Sequence, residues 1–182
     1  MATQYKEISD KIKSFIEQQK IFFVATATVD SRINLSPKGM DSFRVLNKNR
    51  IIWLNVTGSG NETAAHVQQC PRMTIMFNAF EGNPMILRLY GNARVIHTGD
   101  SEWDALYKEF NPLLGARQIF DVDIDLVQTS CGMGVPNYEY LDNRDALTNW
   151  AIKQGDEGLK QYWEKKNQTS IDGIETDILE KV

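Results

Sequence analysis

The chain has 182 residues, of which 42% are hydrophobic, and this length and composition fit one globular domain rather than a disordered segment. Its formal net charge of −4 argues against a general binder of nucleic acid or anionic membranes, because phosphate-rich partners favour basic surfaces. No apolar run reaches the roughly 20 residues of a membrane-spanning helix, and the first residues lack the apolar core of a signal peptide.

In chain order, hydrophobic patterning predicts an amphipathic lead helix, a series of strands and a helical end. The predicted strands cover residues 21–28, 32–46, 50–56, 72–80, 85–97 and 118–130. The predicted helices cover residues 4–19, 61–70, 100–110, 143–154 and 156–166.

The predicted strands are joined mostly by tight turns, which make antiparallel neighbours. Pro37 interrupts the second strand and cannot donate to a ladder, so it indicates a sheet edge or a bulge. Gly91 indicates a bend in the long strand over 85–97. An antiparallel sheet of this size usually removes its edges by closing into a barrel. We therefore expect a mainly β single domain (α+β) over 1–182, with peripheral helices.

Several polar residues have both a functional and a structural interpretation. Asp121, Asp123 and Asp125 alternate with apolar residues, so they form a solvated strand face or, less simply, a metal site. His66 is interpreted as a partly buried helix residue rather than a catalytic base. Cys70 and Cys131 are far apart with no metal-ligand spacing, which favours free thiols in a reducing cytoplasm.

The stretch from Ile51 to Phe77 contains the most suggestive feature, a strand that ends at Gly58-Ser59-Gly60 before a short helix. A helix N-terminus has unpaired N–H groups and partial positive charge, and glycines let a ligand approach the main chain. Asn61 is placed to cap the helix, and Thr63 adds a hydroxyl. The turn is therefore either a phosphate site or only an N-cap behind a flexible turn.

A dinucleotide-binding fingerprint is a rival interpretation of the same turn. Gly58, Gly60 and Thr63 imitate its spacing, but the third glycine is missing. The doubly wound fold that uses this fingerprint also needs helices between successive strands, where this chain has hairpins.

The segments "NLSPKG", "VTGSGNETAAH", "CPRMTIMF" and "SCGMGVP" make the sequence resemble the pyridoxamine 5'-phosphate oxidase-like family of FMN-binding split barrels. The resemblance covers roughly residues 5–141 and leaves 142–182 as a C-terminal helical extension. It implies an antiparallel split β-barrel, FMN as cofactor, a small-molecule substrate, and a homodimer with the flavin at the subunit interface.

The resemblance also implies which residues contact FMN. The segment Ile33 to Lys38 matches the strand that meets the flavin and ribityl chain. The full set of cofactor-binding residues that it suggests is Lys38, Val56, Thr57, Asn61, Glu62, Thr63, Arg88, Gly132, Met133, Gly134 and Val135. Glu62 and Thr63 stand where the oxidases usually carry basic residues, so we expect an arginine at position 63 to tighten FMN binding. Arg88, Arg32 or Arg72 would replace the missing charge.

The end of the chain, "TSIDGIETDILEKV", lacks the arginine and histidine residues that hold the substrate phosphate in the true oxidases. The sequence therefore predicts an FMN-dependent oxidoreductase of unknown substrate rather than a pyridoxamine 5'-phosphate oxidase. A flavin- or haem-binding protein without turnover is the alternative.

Overall fold

The structure is a computed structural model that describes residues 2–180. Its elements in chain order are β1 (Thr3–Tyr5), α1 (Asp10–Gln18), β2 (Phe22–Thr26), β3 (Asn34–Lys38), β4 (Phe43–Asn47), β5 (Arg50–Val56), α2 (Glu62–Gln69), β6 (Arg72–Asn78), β7 (Ile86–His97), α3 (Trp103–Tyr107), β8 (Ala116–Ser130) and α4 (Ala146–Lys166).

The strands form one antiparallel sheet in the order β3-β2-β6-β7-β8-β5-β4, and β1 pairs with β8 beyond the end of β5. The sheet curls without closing, so β3 and β4 remain as its two edges. The predicted class, a mainly β split barrel with peripheral helices, is confirmed.

The segment predicted as one interrupted strand over 32–46 is two strands joined by a tight turn. Met40 and Asp41 reverse the chain with φ angles of 64° and 53°, which is unusual for residues other than glycine. Pro37 lies in the edge strand β3, as its missing N–H group predicted.

The lead helix begins later than the sequence predicted. Ser9 caps α1 by accepting a hydrogen bond from the Ile12 N–H, and the residues before it pair with β8. The apolar spacing at Ile12 and Ile16 is correct, because both side chains are buried. The periodicity therefore found the buried face but not the cap.

The barrel core is filled from the inner faces of the strands. Trp53 and Phe120 stack with ring centroids 4.4 Å apart, and Phe22 packs edge-on against Trp53 at 6.1 Å. At Gly91 the β7–β8 register shifts, and a Cβ there would lie 2.1 Å from the Asp123 carbonyl oxygen. The predicted bend is thus a close backbone approach that only glycine permits.

The aspartates of β8 do not share one wet face. Asp123 and Asp125 are exposed, but Asp121 is buried and accepts hydrogen bonds from Arg50 and Arg94 at 2.8 and 2.6 Å. Burial alone would raise the pKa of Asp121, and the two arginines lower it. Residues 2–180 contain no cluster of His, Cys, Asp and Glu that could hold a metal ion.

The C-terminal part folds back onto the barrel. Gly155, with a φ of 63°, breaks α4 where the sequence predicted two helices. Residues 163–172, here called the strap, then run across the turn between β5 and α2. None of the helices in residues 2–180 combines the length and apolar character that crossing a bilayer requires.

Candidate functional site

Two later segments of the chain hold the turn between β5 and α2. Thr57 donates its N–H and its hydroxyl to the Gly115 carbonyl at 2.7 and 2.8 Å. The same hydroxyl oxygen accepts the Trp163 indole N–H at 2.8 Å. Thr57 is buried, while Val56, the last residue of β5, is half-buried and pairs with Ala116. The strap and the segment before β8 therefore fix the start of the turn.

Asn61 does not cap α2 as the sequence predicted. Its side chain makes no capping hydrogen bond. Instead, its Nδ2 donates to the carbonyls of Lys166 and Thr169 at 2.9 and 2.8 Å, and its Oδ1 accepts from Asn167. Asn61 is 7% exposed, and both the nitrogen and the oxygen of its side-chain amide bind the strap. The local sequence did not predict this role.

Thr63 is also used internally. Its Oγ1 accepts a hydrogen bond from the Asn34 Nδ2 at 3.0 Å, and the residue is 7% exposed. Asn34 lies at the start of β3, so this contact joins the edge strand to the first turn of α2. A long basic side chain at this buried position would replace the Thr63 hydroxyl in this contact and overpack the site.

The Glu62 carboxylate lies at the start of α2. One oxygen accepts the Asn61 N–H at 3.0 Å and the other accepts the Ile171 N–H at 3.3 Å. The side chain thus bridges the turn to the strap and places negative charge where a helix favours an anion.

Lys38 extends from the edge strand into the barrel. Its Nζ lies 5.4 Å from the centroid of the Trp53 ring, within the range of a cation–π contact. Burial and the nearby charge of Arg117 lower the pKa of Lys38 to about 8, although Glu62 acts in the opposite direction. Among residues 2–180, no carboxylate lies within 4 Å of this ammonium group.

Arg117 is the second cation beside the turn, and it is buried, with 3% of its surface exposed. Its guanidinium donates to the carbonyls of Gly58 and Gly60 at 3.4 and 2.8 Å, and its Nε has no hydrogen-bond partner. Burial lowers the pKa of Arg117 to about 10. No acidic side chain of the described residues forms an ion pair with it.

Arg117 was absent from the predicted cofactor site. The signal that points to it is pairing: β8 begins beside the end of β5, and β5 leads directly into the turn. An arginine at the start of a strand that borders this turn is therefore a better candidate than one elsewhere on the barrel.

The three arginines suggested by the sequence make their side-chain contacts outside the turn itself. Arg32 forms an exposed ion pair with Asp172, and Arg72 donates to the Cys70 sulfur. Arg88 lies on the outer face of β7 and donates to the Ser130 hydroxyl at 3.2 Å.

The cofactor-binding residues predicted in the loop 132–135 also lie apart from the turn between β5 and α2 within one chain. Gly132 is buried against Met85, where a Cβ would lie 2.8 Å from the Met85 nitrogen. Met133 is 82% exposed, Gly134 is exposed, and Val135 is half-buried and donates its N–H to the Gly132 carbonyl. The structure therefore brings together Lys38, Val56, Thr57, Asn61, Glu62 and Thr63, but not Arg88 or residues 132–135.

A cavity of about 850 Å³ opens beside Lys38. Its walls come from the end of α1, the end of β3 and residues 138–147, and they include Phe80, Tyr138 and Tyr140. A volume of this size suits a cofactor- or drug-sized ligand. Lys38 thus lies between the cavity and the charged turn.

Comparison with known proteins identifies the protein family of this chain. The family model described as pyridoxamine 5'-phosphate oxidase matches residues 8–131. The chain belongs to the pyridoxamine 5'-phosphate oxidase family.

One relative is the pyridoxamine 5'-phosphate oxidase family protein ustO of Aspergillus flavus, which is 34% identical over 190 aligned positions. The alignment covers 93% of this chain and 76% of the relative.

Two solved structures share the fold at low sequence identity. A variant of HupZ from Group A Streptococcus has a TM-score of 0.55 and 17% identity, over 68% of this chain and 99% of that chain. A candidate pyridoxamine 5'-phosphate oxidase from Lactobacillus delbrueckii has a TM-score of 0.54 and 16% identity, over 68% and 94% of the two chains.

FMN is the cofactor of this family, and the charged turn fits its phosphate. Among residues 2–180, half-buried Lys38 and buried Arg117 are cations without a directly paired carboxylate, and the Arg117 Nε has no partner. Buried polar groups are normally paired, so an unpaired donor of this kind suits an anionic ligand. Lys38 and Arg117 would hold the phosphate, and the neighbouring cavity has room for the flavin ring.

Proposed function

We propose that this protein is an FMN-binding flavoprotein that acts as an oxidoreductase on a small molecule in the cytoplasm. The observation that carries the proposal is the pair of cations, half-buried Lys38 and buried Arg117, beside the turn that precedes α2. Charges that are withdrawn from water without a direct counter-ion are costly in a folded protein. A phosphate group would supply the missing negative charge.

Lys38 also suits a role in positioning the flavin. FMN supplies hydride transfer when it is bound, and the protein supplies position and electrostatics. A fixed cation at the phosphate would orient the rest of the cofactor. With a pKa of about 8, Lys38 is mostly protonated at neutral pH and keeps this charge available.

Haem binding without turnover is less well supported. The chain has two histidines, and His66 and His97 are 0% and 2% exposed. His66 Nδ1 lies 3.1 Å from the Thr26 hydroxyl within the fold. A haem iron would need one of these imidazoles to leave the core, or a different ligand.

We also propose a homodimer formed through the outer face of the sheet at β3. Leu35 is 64% exposed and Pro37 is exposed, and both pair with outward-facing residues of β2. This outer row continues across β6 to Arg88. An exposed apolar strand at a sheet edge is an interaction surface, and a second copy covering it would explain why Arg88 and residues 132–135 resemble flavin-contacting positions.

The cofactor is tested by the visible spectrum of freshly purified protein and by parallel titrations with FMN and riboflavin. We expect flavin absorption bands and clearly tighter binding of FMN. A Soret band would favour the haem alternative, and equal binding of both flavins would refute the phosphate site. Reduction of the bound flavin by a nicotinamide donor, followed by reoxidation with a substrate or oxygen, would support the oxidoreductase role. A bound flavin that no donor reduces would support binding without turnover.

The dimer is tested by sedimentation of the wild type, Leu35→Glu and Val29→Glu. Val29 is 92% exposed in the hairpin between β2 and β3, so it controls for adding a charge. We expect about twice the 20.8 kDa chain mass for wild type and Val29→Glu, and a monomer for Leu35→Glu. A monomeric wild type that still binds FMN would contradict the proposal.

A further inference from the structure

We infer that the Glu62 carboxylate is a resident anion in the phosphate site, and that a phosphorylated ligand must displace it. This inference rests on the proposed binding of FMN. It assigns to Glu62 a role opposite to that of a ligand-holding residue, because the side chain would oppose the phosphate rather than bind it.

The hydrogen bonds of Glu62 are those an anion would make at a helix start. Its carboxylate accepts main-chain N–H groups from Asn61, before α2, and from Ile171, in the strap. The side chain of Asn61, the residue before α2, makes no capping hydrogen bond to this helix. The carboxylate therefore stands in for an external anion at a position where oriented backbone donors favour one.

The surrounding side chains are cationic. The Arg117 guanidinium, which is 3% exposed, lies on the same turn through the carbonyls of Gly58 and Gly60, and its Nε donor is unused. Lys38 and Arg117 both respond to the charge of Glu62. Two cations and one carboxylate leave one positive charge in the site without compensation.

This balance explains how an acidic residue is tolerated beside a phosphate site. Without ligand, Glu62 partly offsets the charges of half-buried Lys38 and buried Arg117. When a phosphate brings its own charge, the carboxylate becomes a like-charged neighbour and its two N–H donors become available. Displacement of Glu62 would also release its contact with Ile171, so ligand binding would loosen the strap at that residue.

The first experiment compares the affinity of wild type, Glu62→Gln and Glu164→Gln for FMN and for riboflavin. Glu164 is exposed on α4, next to the strap residue Trp163, and its change removes the same charge. We expect Glu62→Gln to tighten FMN about tenfold, equivalent to about 1.4 kcal/mol, with riboflavin unchanged. Glu164→Gln should change neither affinity.

The second experiment uses the unmodified protein and needs no variant to fold. Hydrogen exchange is followed at the Ile171 amide in the free protein and in saturated FMN and riboflavin complexes. We expect faster exchange at Ile171 with FMN than with riboflavin. Equal or slower exchange with FMN would overturn the inference.

The outcomes separate this inference from the proposed function. Weaker or unchanged FMN binding by folded Glu62→Gln, while the wild type still prefers FMN to riboflavin, would refute the role of Glu62 and leave the cofactor standing. Absence of flavin binding in every variant, or equal binding of the two flavins by the wild type, would refute the proposed phosphate site itself.

Discussion

Replacing Lys38 by methionine is expected to stabilise the ligand-free protein at neutral pH and to weaken FMN binding. The pKa of Lys38 lies at about 8 in the folded protein against 10.5 for an ordinary lysine. At 1.36 kcal/mol for each pKa unit, this difference corresponds to a penalty of about 3 kcal/mol for keeping the side chain charged in the fold.

Removing the charge recovers only part of this penalty, because the ammonium group also interacts favourably with the Trp53 ring, whose centroid lies 5.4 Å away. A partly desolvated cation–π contact contributes about 0.5–2 kcal/mol. Methionine has a similar length and makes favourable sulfur–aromatic contacts, so it should pack on the same ring. We therefore expect Lys38→Met to raise the unfolding free energy at pH 7 by about 1–3 kcal/mol.

The sign of the pH dependence follows from the lowered pKa. Below pH 8 the lysine is charged in both the folded and the unfolded state, and the whole penalty applies. Between about pH 8 and 10.5, the folded state releases its proton first, so the stability of the wild type rises with pH relative to the variant. The advantage of Lys38→Met should therefore shrink across this window.

The assay is urea unfolding of ligand-free wild type, Lys38→Met and Lys160→Met at pH 7, 8, 9 and 10. Lys160 is exposed on α4, so its replacement controls for the loss of one positive charge. Destabilisation by Lys38→Met at pH 7, or an advantage that does not change with pH, would refute the argument. FMN should bind more weakly to Lys38→Met than to the wild type. The wild type itself should bind FMN more weakly above pH 8 than below it.

Three further predictions follow from the same contacts. Thr63→Arg should destabilise the fold by about 1–3 kcal/mol and weaken FMN binding, because it overpacks a buried site; tighter binding with an intact fold would restore the expectation from the sequence. Asn167→Ala should cost about 1–3 kcal/mol in urea unfolding, because it removes the donor to the buried Asn61 Oδ1 and leaves the Gly58 carbonyl with only the longer bond from Arg117, whereas exposed Asn149→Ala should have little effect. FMN-loaded protein should not oxidise pyridoxamine 5'-phosphate, because Asp172 already pairs with Arg32 and the adjoining residues to Glu180 offer no arginine; turnover of about 1 per second or more would contradict this.

Much of the fold could be predicted from the sequence because its signals are local. Alternating apolar residues and turn signals located β5 and, within a few residues, β2, β6, β7 and β8. Pro37 correctly indicated an edge, and Gly91 correctly indicated an irregular position in β7. The turn between β5 and α2 was also found where two glycines precede a short helix.

The chemistry of that turn could not be predicted, because its contacts join distant parts of the chain. Asn61 is a good local cap, yet its amide binds strap residues more than a hundred positions later. Arg117 reaches Gly58 and Gly60 only because β8 pairs with β5. Local patterns favour the cap and give no information about a competing partner brought close by the fold.

The residues that would bind the ligand are therefore the same residues that lower the stability of the ligand-free fold. Lys38 and Arg117 are costly to bury, and the hydrogen bonds of the strap to Thr57, Gly58 and Asn61 help to hold the turn despite that cost. A ligand that binds only the folded state stabilises it by mass action, and a phosphorylated ligand also relieves the repulsion between the two cations. FMN should consequently raise the melting temperature more than riboflavin does at equal ligand concentration, and Lys38→Met should reduce this difference.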